Sequence, residues 1–213
     1  MPRPRPQLLT FDVFGTVVDW RRGLSEAVAA HGRPLRDGDF DAIMDRQGAL
    51  EQEPLFRTYA EITALSLMDV LGLGVAAAVH VGEGVGRWPA YPDAPAALRR
   101  LMAVAPCVAT TNSDRAHGED VQRGLGFRLG AWICAQDVRR YKPDPEFWRH
   151  VSERLRVELG PAWWHVSAYA DYDLEVAARL GLTTVYVARP HARPGPATHS
   201  VRDLAELAAL VGA

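Results

Sequence analysis

The chain has 213 residues, enough for one globular domain or for one domain carrying a smaller insert. Hydrophobic residues make up 48% and charged residues 23%, which excludes wholesale disorder. The formal net charge of −2 gives no pull towards nucleic acid or an anionic membrane, and neither is an expected partner.

The start, Met1-Pro-Arg-Pro-Arg-Pro6, is broken by prolines and has no apolar stretch behind it, so it does not read as a secretory signal. Gln7-Leu-Leu-Thr-Phe11 is short and apolar, and Asp12 and Gly15 follow it. It reads as a buried strand ending in a turn. A short helix is expected over 24–31, closed by Gly32. The pattern over 37–71 is helical with a break near Pro54, and 75–85 is a further helix-like stretch. Arg87-Trp-Pro-Ala-Tyr-Pro92 is a linker by composition.

Beyond the linker the rhythm changes. Helices are expected over 94–103, 116–125, 145–159, 174–180 and 201–211. Strands are expected over 107–111, 131–135, 164–167 and 183–187, and 189–196 reads as a surface loop. Strands alternating with helices predict a parallel sheet covered on both faces, with roughly residues 18–90 as a helical insertion. No run approaches the ~20 apolar residues that cross a bilayer. The two cysteines, Cys107 and Cys134, stand apart in apolar settings. They read as small buried hydrophobes of a reducing, cytoplasmic protein.

In such sheets the site lies at the carboxyl ends of the strands. Asp12 stands there, with Gly15 to permit an unusual backbone and Thr16 to offer a hydroxyl. A carboxylate so placed is a competent nucleophile, although by itself it serves equally as a turn or cap. Thr110-Thr-Asn-Ser-Asp114 offers small polar donors, and Ser113 or Asp114 can also cap the next helix. Lys142 is the single lysine among 24 basic residues, which suggests a place where arginine cannot serve, or else a chance survivor on the solvated surface. An ammonium near a carboxylate favours its ionised form. His165-Val-Ser-Ala-Tyr-Ala-Asp-Tyr-Asp173 delivers Asp171 and Asp173, able to activate water, bind a metal, pair with Lys142 or cap a helix. Trp20 and Trp88 flank the ends of the insertion and are candidates for a pocket wall. No phosphate loop, Rossmann glycine spacing, His-Glu-x-x-His or Cys-x-x-Cys occurs.

Asp12-Val-Phe-Gly-Thr16, Thr111-Asn-Ser113, Lys142-Pro143 and the late Asp173, in this order, resemble the haloacid dehalogenase (HAD) superfamily. The resemblance covers most of the chain. It implies a Rossmann-like α/β core, the HAD fold, from 1–17 and 91–213, with a helical cap over 18–90. Phosphatase members carry a second aspartate two positions after the nucleophile, as acid/base for the leaving alcohol. Here that position is Phe14, which transfers no proton. A halide needs none, and the segment 11–20 resembles the (S)-2-haloacid dehalogenase branch.

That branch implies attack by Asp12 on the halogen-bearing carbon, an ester intermediate and its hydrolysis by water. Lys142 would hold Asp12 ionised, and Asp173 would orient or activate the water. Thr111 and Asn112, with Thr16 and Ser113 beside them, would bind the substrate. Arg46 matches the branch's halide-binding arginine, and is otherwise a surface helix arginine. Trp148 stands where an aromatic is expected beyond the lysine. Three positions depart from the branch: Thr111 replaces a serine, and Ala168 and Ala170 replace a serine and an asparagine. The expected substrate is a small 2-haloacid, with no cofactor, and a homodimer through cap helices is left open as a family-level reading. Two other readings stand beside it. One is a Mg²⁺-dependent phosphatase using Asp12, the Phe14 carbonyl and Asp173. The other is a HAD-like binding protein.

Overall fold

Short, fully buried segments rich in β-branched and aromatic residues make the centre of the molecule. The computed structural model describes residues 5–213, and residues 1–4 of the proline-broken start lie outside them. The strands are β1 (Leu8–Phe11), β2 (Cys107–Thr111), β3 (Ala131–Cys134), β4 (Trp163–Ser167), β5 (Thr183–Val187) and β6 (His199–Val201). They form one sheet in the order β3-β2-β1-β4-β5-β6, and every neighbouring pair is parallel. Leu9 lies opposite Cys107 on one side and Trp164 on the other. The chain runs outward from β1 through β2 to β3, then returns to the other side of β1 as β4. That reversal leaves a crevice at the carboxyl ends of β1, β2 and β4.

Four helices follow β1 directly: α1 (Trp20–Ala30), α2 (Asp39–Glu51), α3 (Tyr59–Leu71) and α4 (Val75–Gly84), with a 3₁₀ turn (Val85–Arg87) after them. The rest are α5 (Ala94–Met102), α6 (Arg115–Leu125), α7 (Ala135–Val138), α8 (Pro145–Leu155), α9 (Glu175–Arg179) and α10 (Leu204–Val211). A π-helical turn, Ala170–Leu174, leads into α9. Local chemistry sets several ends. Thr58 and Glu61 form a capping box on α3, and Gly72 stops it in the left-handed region. Gly82 of α4 rests against the Ala60 carbonyl, where a Cβ would collide, so α3 and α4 cross closely.

The structure departs from the sequence reading at some boundaries. Asp19 caps α1, so that helix begins at Trp20 and not at residue 24. Arg156 takes the left-handed conformation (φ 54°) and ends α8 before residue 159. Residues 199–201 form β6 against β5. A three-residue strand is too short to show a period of two. Arg189, at the head of the expected surface loop, is buried: it donates to the Thr16 carbonyl at 3.0 Å and forks onto Asp93 at 2.7 and 3.0 Å.

Candidate active site

β1 ends by delivering Asp12 to the carboxyl edge, where its N–H still donates to the Val166 carbonyl at 2.9 Å. The chain then turns sharply. Gly15 sits at φ 93°, and a Cβ there would collide with the Tyr169 hydroxyl. The turn brings Thr16 back onto Asp12: its hydroxyl donates to Asp12 Oδ2 at 2.8 Å and accepts from the Ala168 N–H at 3.0 Å.

Lys142 reaches the same carboxylate from the loop before α8. Its Nζ donates to Asp12 Oδ1 at 3.1 Å and to Asp173 Oδ2 at 2.7 Å. All three side chains are buried. The ammonium therefore lies between the two carboxylates. His165 Nε2 is 3.1 Å from Asp173 Oδ2, and His165 Nδ1 is 2.9 Å from the Thr10 hydroxyl. Trp163 Nε1 donates to that hydroxyl at 2.8 Å. Burial pushes the Asp12 carboxyl up against the opposing pull of Lys142. For Asp173 burial also pushes upward, but His165 and Lys142 outweigh it and hold this carboxyl well below the usual range. Burial works against the Lys142 charge, and the two carboxylates more than offset it.

A cavity of about 720 Å³ opens over Asp12 and Lys142. Thr111 and Asn112 line it from the end of β2, and Gln47 and Glu51 from α2. Phe14, Trp20, Tyr59, Tyr169 and Tyr172 supply its aromatic wall. Asn112 is bonded on both sides of its amide. Its Oδ1 accepts from the Lys142 N–H at 2.7 Å, and its Nδ2 donates to the Lys142 carbonyl at 3.0 Å and to Glu51 Oε2 at 3.1 Å. Burial pushes the Glu51 carboxyl up to about 8, against the Asn112 hydrogen bond and the Lys142 charge.

The structure thus gathers Asp12, Lys142, Thr111 and Asn112 on the cavity wall. It places other candidates elsewhere. Thr16 is buried behind Asp12 and contacts the carboxylate, not the cavity. Asp173 is fully buried behind Lys142 and does not line the cavity. Ser113 is buried away from it, with its hydroxyl unpartnered among the described residues. Trp148 is also fully buried; its ring packs edge-on against His165, with centroids 4.5 Å apart. Arg46 does not reach the cavity: its Nε donates to Asp69 at 2.7 Å, with Glu53 at 4.0 Å, and its side chain is 36% exposed. The surface-arginine reading describes it. Asp114 leaves α6 uncapped by its side chain and instead accepts from the Tyr59 and Ala60 N–H groups at 3.0 and 2.9 Å, tying α3 to the end of β2. Trp88 packs on Gly23 and lies off the cavity.

Sequence reasoning missed Glu51, His165, Tyr59 and Tyr172. His165 carried a faint signal, as a polar side chain inside an otherwise apolar strand. For a magnesium ion the fit is poor, because the Lys142 ammonium holds the space between Asp12 and Asp173. Among the described residues no group of three or more His, Cys, Asp or Glu is arranged to hold a metal.

A parallel sheet with a buried aspartate–lysine pair at its point of reversal, and helices inserted directly after the first strand, is the layout of a haloacid dehalogenase-like hydrolase. Residues 6–181 match that family, and the chain belongs to it. The (S)-2-haloacid dehalogenase 4A of Burkholderia cepacia is 32% identical over 127 residues, 55% of this chain. That match spans about half of the relative, 53% of its length. A crystal structure of a defluorinating L-2-haloacid dehalogenase superposes with a TM-score of 0.83 at 25% identity, over 98% of this chain and 96% of that one. The L-2-haloacid dehalogenase of Xanthobacter autotrophicus with chloropropionic acid covalently bound shares the fold at 18% identity, with a TM-score of 0.81 over 97% and 98% of the two chains.

Proposed function

We propose that this protein hydrolyses the carbon–halogen bond of short 2-haloacids through an ester on Asp12. One observation carries the reading. A buried carboxylate, oriented by Lys142 and Thr16, faces a cavity in which the position two residues on is the phenyl ring of Phe14. A phosphate ester expels an alkoxide that needs a proton, and Phe14 has none to give. A halide leaves without one. The names of the Burkholderia and defluorinating relatives support the same reaction class.

In the first step an Asp12 oxygen attacks the halogen-bearing carbon. The new C–O bond forms as the C–halogen bond breaks, and the halide takes the bonding pair. Water then attacks the Asp12 carbonyl carbon. The C–O bond to Asp12 breaks, the product oxygen takes a proton and leaves as a 2-hydroxy acid, and Asp12 loses its proton to become a carboxylate again. Lys142 orients Asp12 and balances its charge. Asp173 acts as a positioning residue, since it touches Lys142 and His165 and does not line the cavity. Thr16 orients Asp12, and Thr111 and Asn112 face the substrate. No metal enters this scheme, because the ammonium holds the space between the carboxylates. A division into a core (1–17 and 91–213) and a cap (18–90) is supported by the element order, in which α1 to α4 come after β1 and before α5 and β2. Two free, buried cysteines suit a reducing cytoplasm.

The test is a paired assay. Halide release from (S)-2-chloropropionate in EDTA is expected. Phosphate release from an ester with Mg²⁺, and no halide, would turn the reading to a phosphatase. Silence in both arms would leave a binding protein, with Ala168 and Ala170 as the place to look.

A further inference from the structure

We propose that Glu51 determines which ligands enter this cavity: held on Asn112, its carboxylic acid donates a hydrogen bond to the acidic group of an anionic substrate, and its ionisation closes the cavity to anions. The inference rests on reading this cavity as the haloacid site. It starts from the state of Asn112, whose amide is spent on Lys142 and Glu51 and has no donor left over. On that side the group offered to a ligand is Glu51 itself, the last residue of α2.

Charge then limits what Glu51 can be. The Lys142 ammonium is already shared by Asp12 and Asp173, so the strand side has no spare cation for an incoming carboxylate. The arginines at the cavity rim are already engaged. Arg140 lies 3.5 Å from Asp144, Arg193 lies 3.5 Å from Asp45 and 3.3 Å from Asp171, and Arg139 stacks over the Phe56 ring. On the chain beyond α2, Glu53 is paired with Arg57 at 2.6 Å. The groups that act on Glu51 from the packed elements are Lys142 and Asp12 from the strand side, with Tyr59, Tyr141 and Tyr172 around it. Burial raises all three phenols, so they stay neutral. An ionised Glu51 would add a negative charge with no cation to spare where a carboxylate must bind. A neutral Glu51 offers an O–H instead, and burial keeps it neutral up to about pH 8.

The experiment measures binding of propionate, a carboxylate that cannot react, to the whole protein between pH 6 and 9.5 by calorimetry. Tryptophan fluorescence gives a second signal, since one of the six tryptophans, Trp20, lines the cavity. With the competent form lost near pH 8, affinity should fall about tenfold from pH 7 to pH 9. Glu51→Gln keeps an N–H donor and an acceptor for Asn112 but cannot ionise, so its affinity should be level over that range. In turnover, the KM for (S)-2-chloropropionate should rise through the same range while kcat stays level. Flat affinity in the wild type, a fall that persists in Glu51→Gln, or no propionate binding at pH 7 overturns the inference. If propionate behaves as expected and no halide is released, the dehalogenase reading fails and the anion site stands. If halide is released with a KM that ignores pH, the reverse holds.

Discussion

On the strand side of the cavity, two buried carboxyls share one ammonium, and Asp173 is held well below its usual range. On the helix side, the Glu51 carboxyl has a neutral amide as its partner, and burial pushes it up to about 8. Burial acts in the same direction on both sides. What differs is the partner. At Asp173 His165 and the Lys142 ammonium together outweigh desolvation, whereas Lys142 alone does not at Asp12 and an amide dipole at 3.1 Å does not at Glu51. One site therefore holds acids that titrate in opposite senses.

The strongest way to break this comparison is at the nucleophile. Asp12→Asn keeps the shape of the side chain and removes its charge. Halide release should fall by on the order of 10⁴-fold or more, as for loss of other nucleophiles, with an unchanged circular dichroism spectrum. Retention of most activity in the folded variant would end the assignment.

Lys142 comes next. Lys142→Ala leaves two buried carboxyls without their cation, and should cost about 3–5 kcal/mol in urea unfolding at pH 7. Lys142→Arg keeps the charge, but a planar fork replaces a compact ammonium between the carboxylates, and turnover should drop sharply. Near-normal turnover there would remove the argument drawn from the single lysine.

The opposite titrations give a subtler test. The Asp173 carboxyl is depressed in the folded state, so its contribution to stability is present above its unfolded value and is lost as pH falls through the folded one. Asp173→Asn should flatten the acid side of the stability curve. Glu51 is raised, so the folded protein binds its proton more tightly than the unfolded chain does. Stability should fall as pH climbs from the ordinary carboxyl range to about 8. Glu51→Gln should remove that slope. A Tm measured from pH 3 to pH 9 for both variants reads both signs.

The smallest effect is expected at Arg46. Its pair with Asp69 is 36% and 48% exposed, and such pairs contribute about 0–1 kcal/mol. Arg46→Ala should leave turnover unchanged. A loss of activity beyond tenfold would restore the role that the family resemblance implied.

Much of the strand side was legible in the sequence. A short apolar run ending in Asp-x-x-Gly-Thr places an acid at a strand tip, because both signals are local. The solitary lysine was informative for a related reason: in an arginine-rich chain, it sits buried with its compact ammonium between two carboxylates. The helix side was not legible. Gln47 and Glu51 stand four apart and share the cavity face of α2, whereas Arg46 precedes Gln47 and is turned by about 100° from it. Weak periodicity along α2, with Asp39, Asp41, Asp45 and Arg46 scattered among its apolar residues, does not say which polar face turns inward. Trp148 and Ser113 were misplaced in the same way. Both stand near motif residues in sequence, and both point into the packed interior.

The sequence by itself determined the alternation of strands and helices, the parallel sheet and the acids at the strand tips, since each follows from local pattern. The tertiary structure decided which polar groups meet. Lys142 finds Asp12 across 130 residues and Asn112 finds Glu51 across 61, and such contacts, set against burial, decide which carboxyl stays charged.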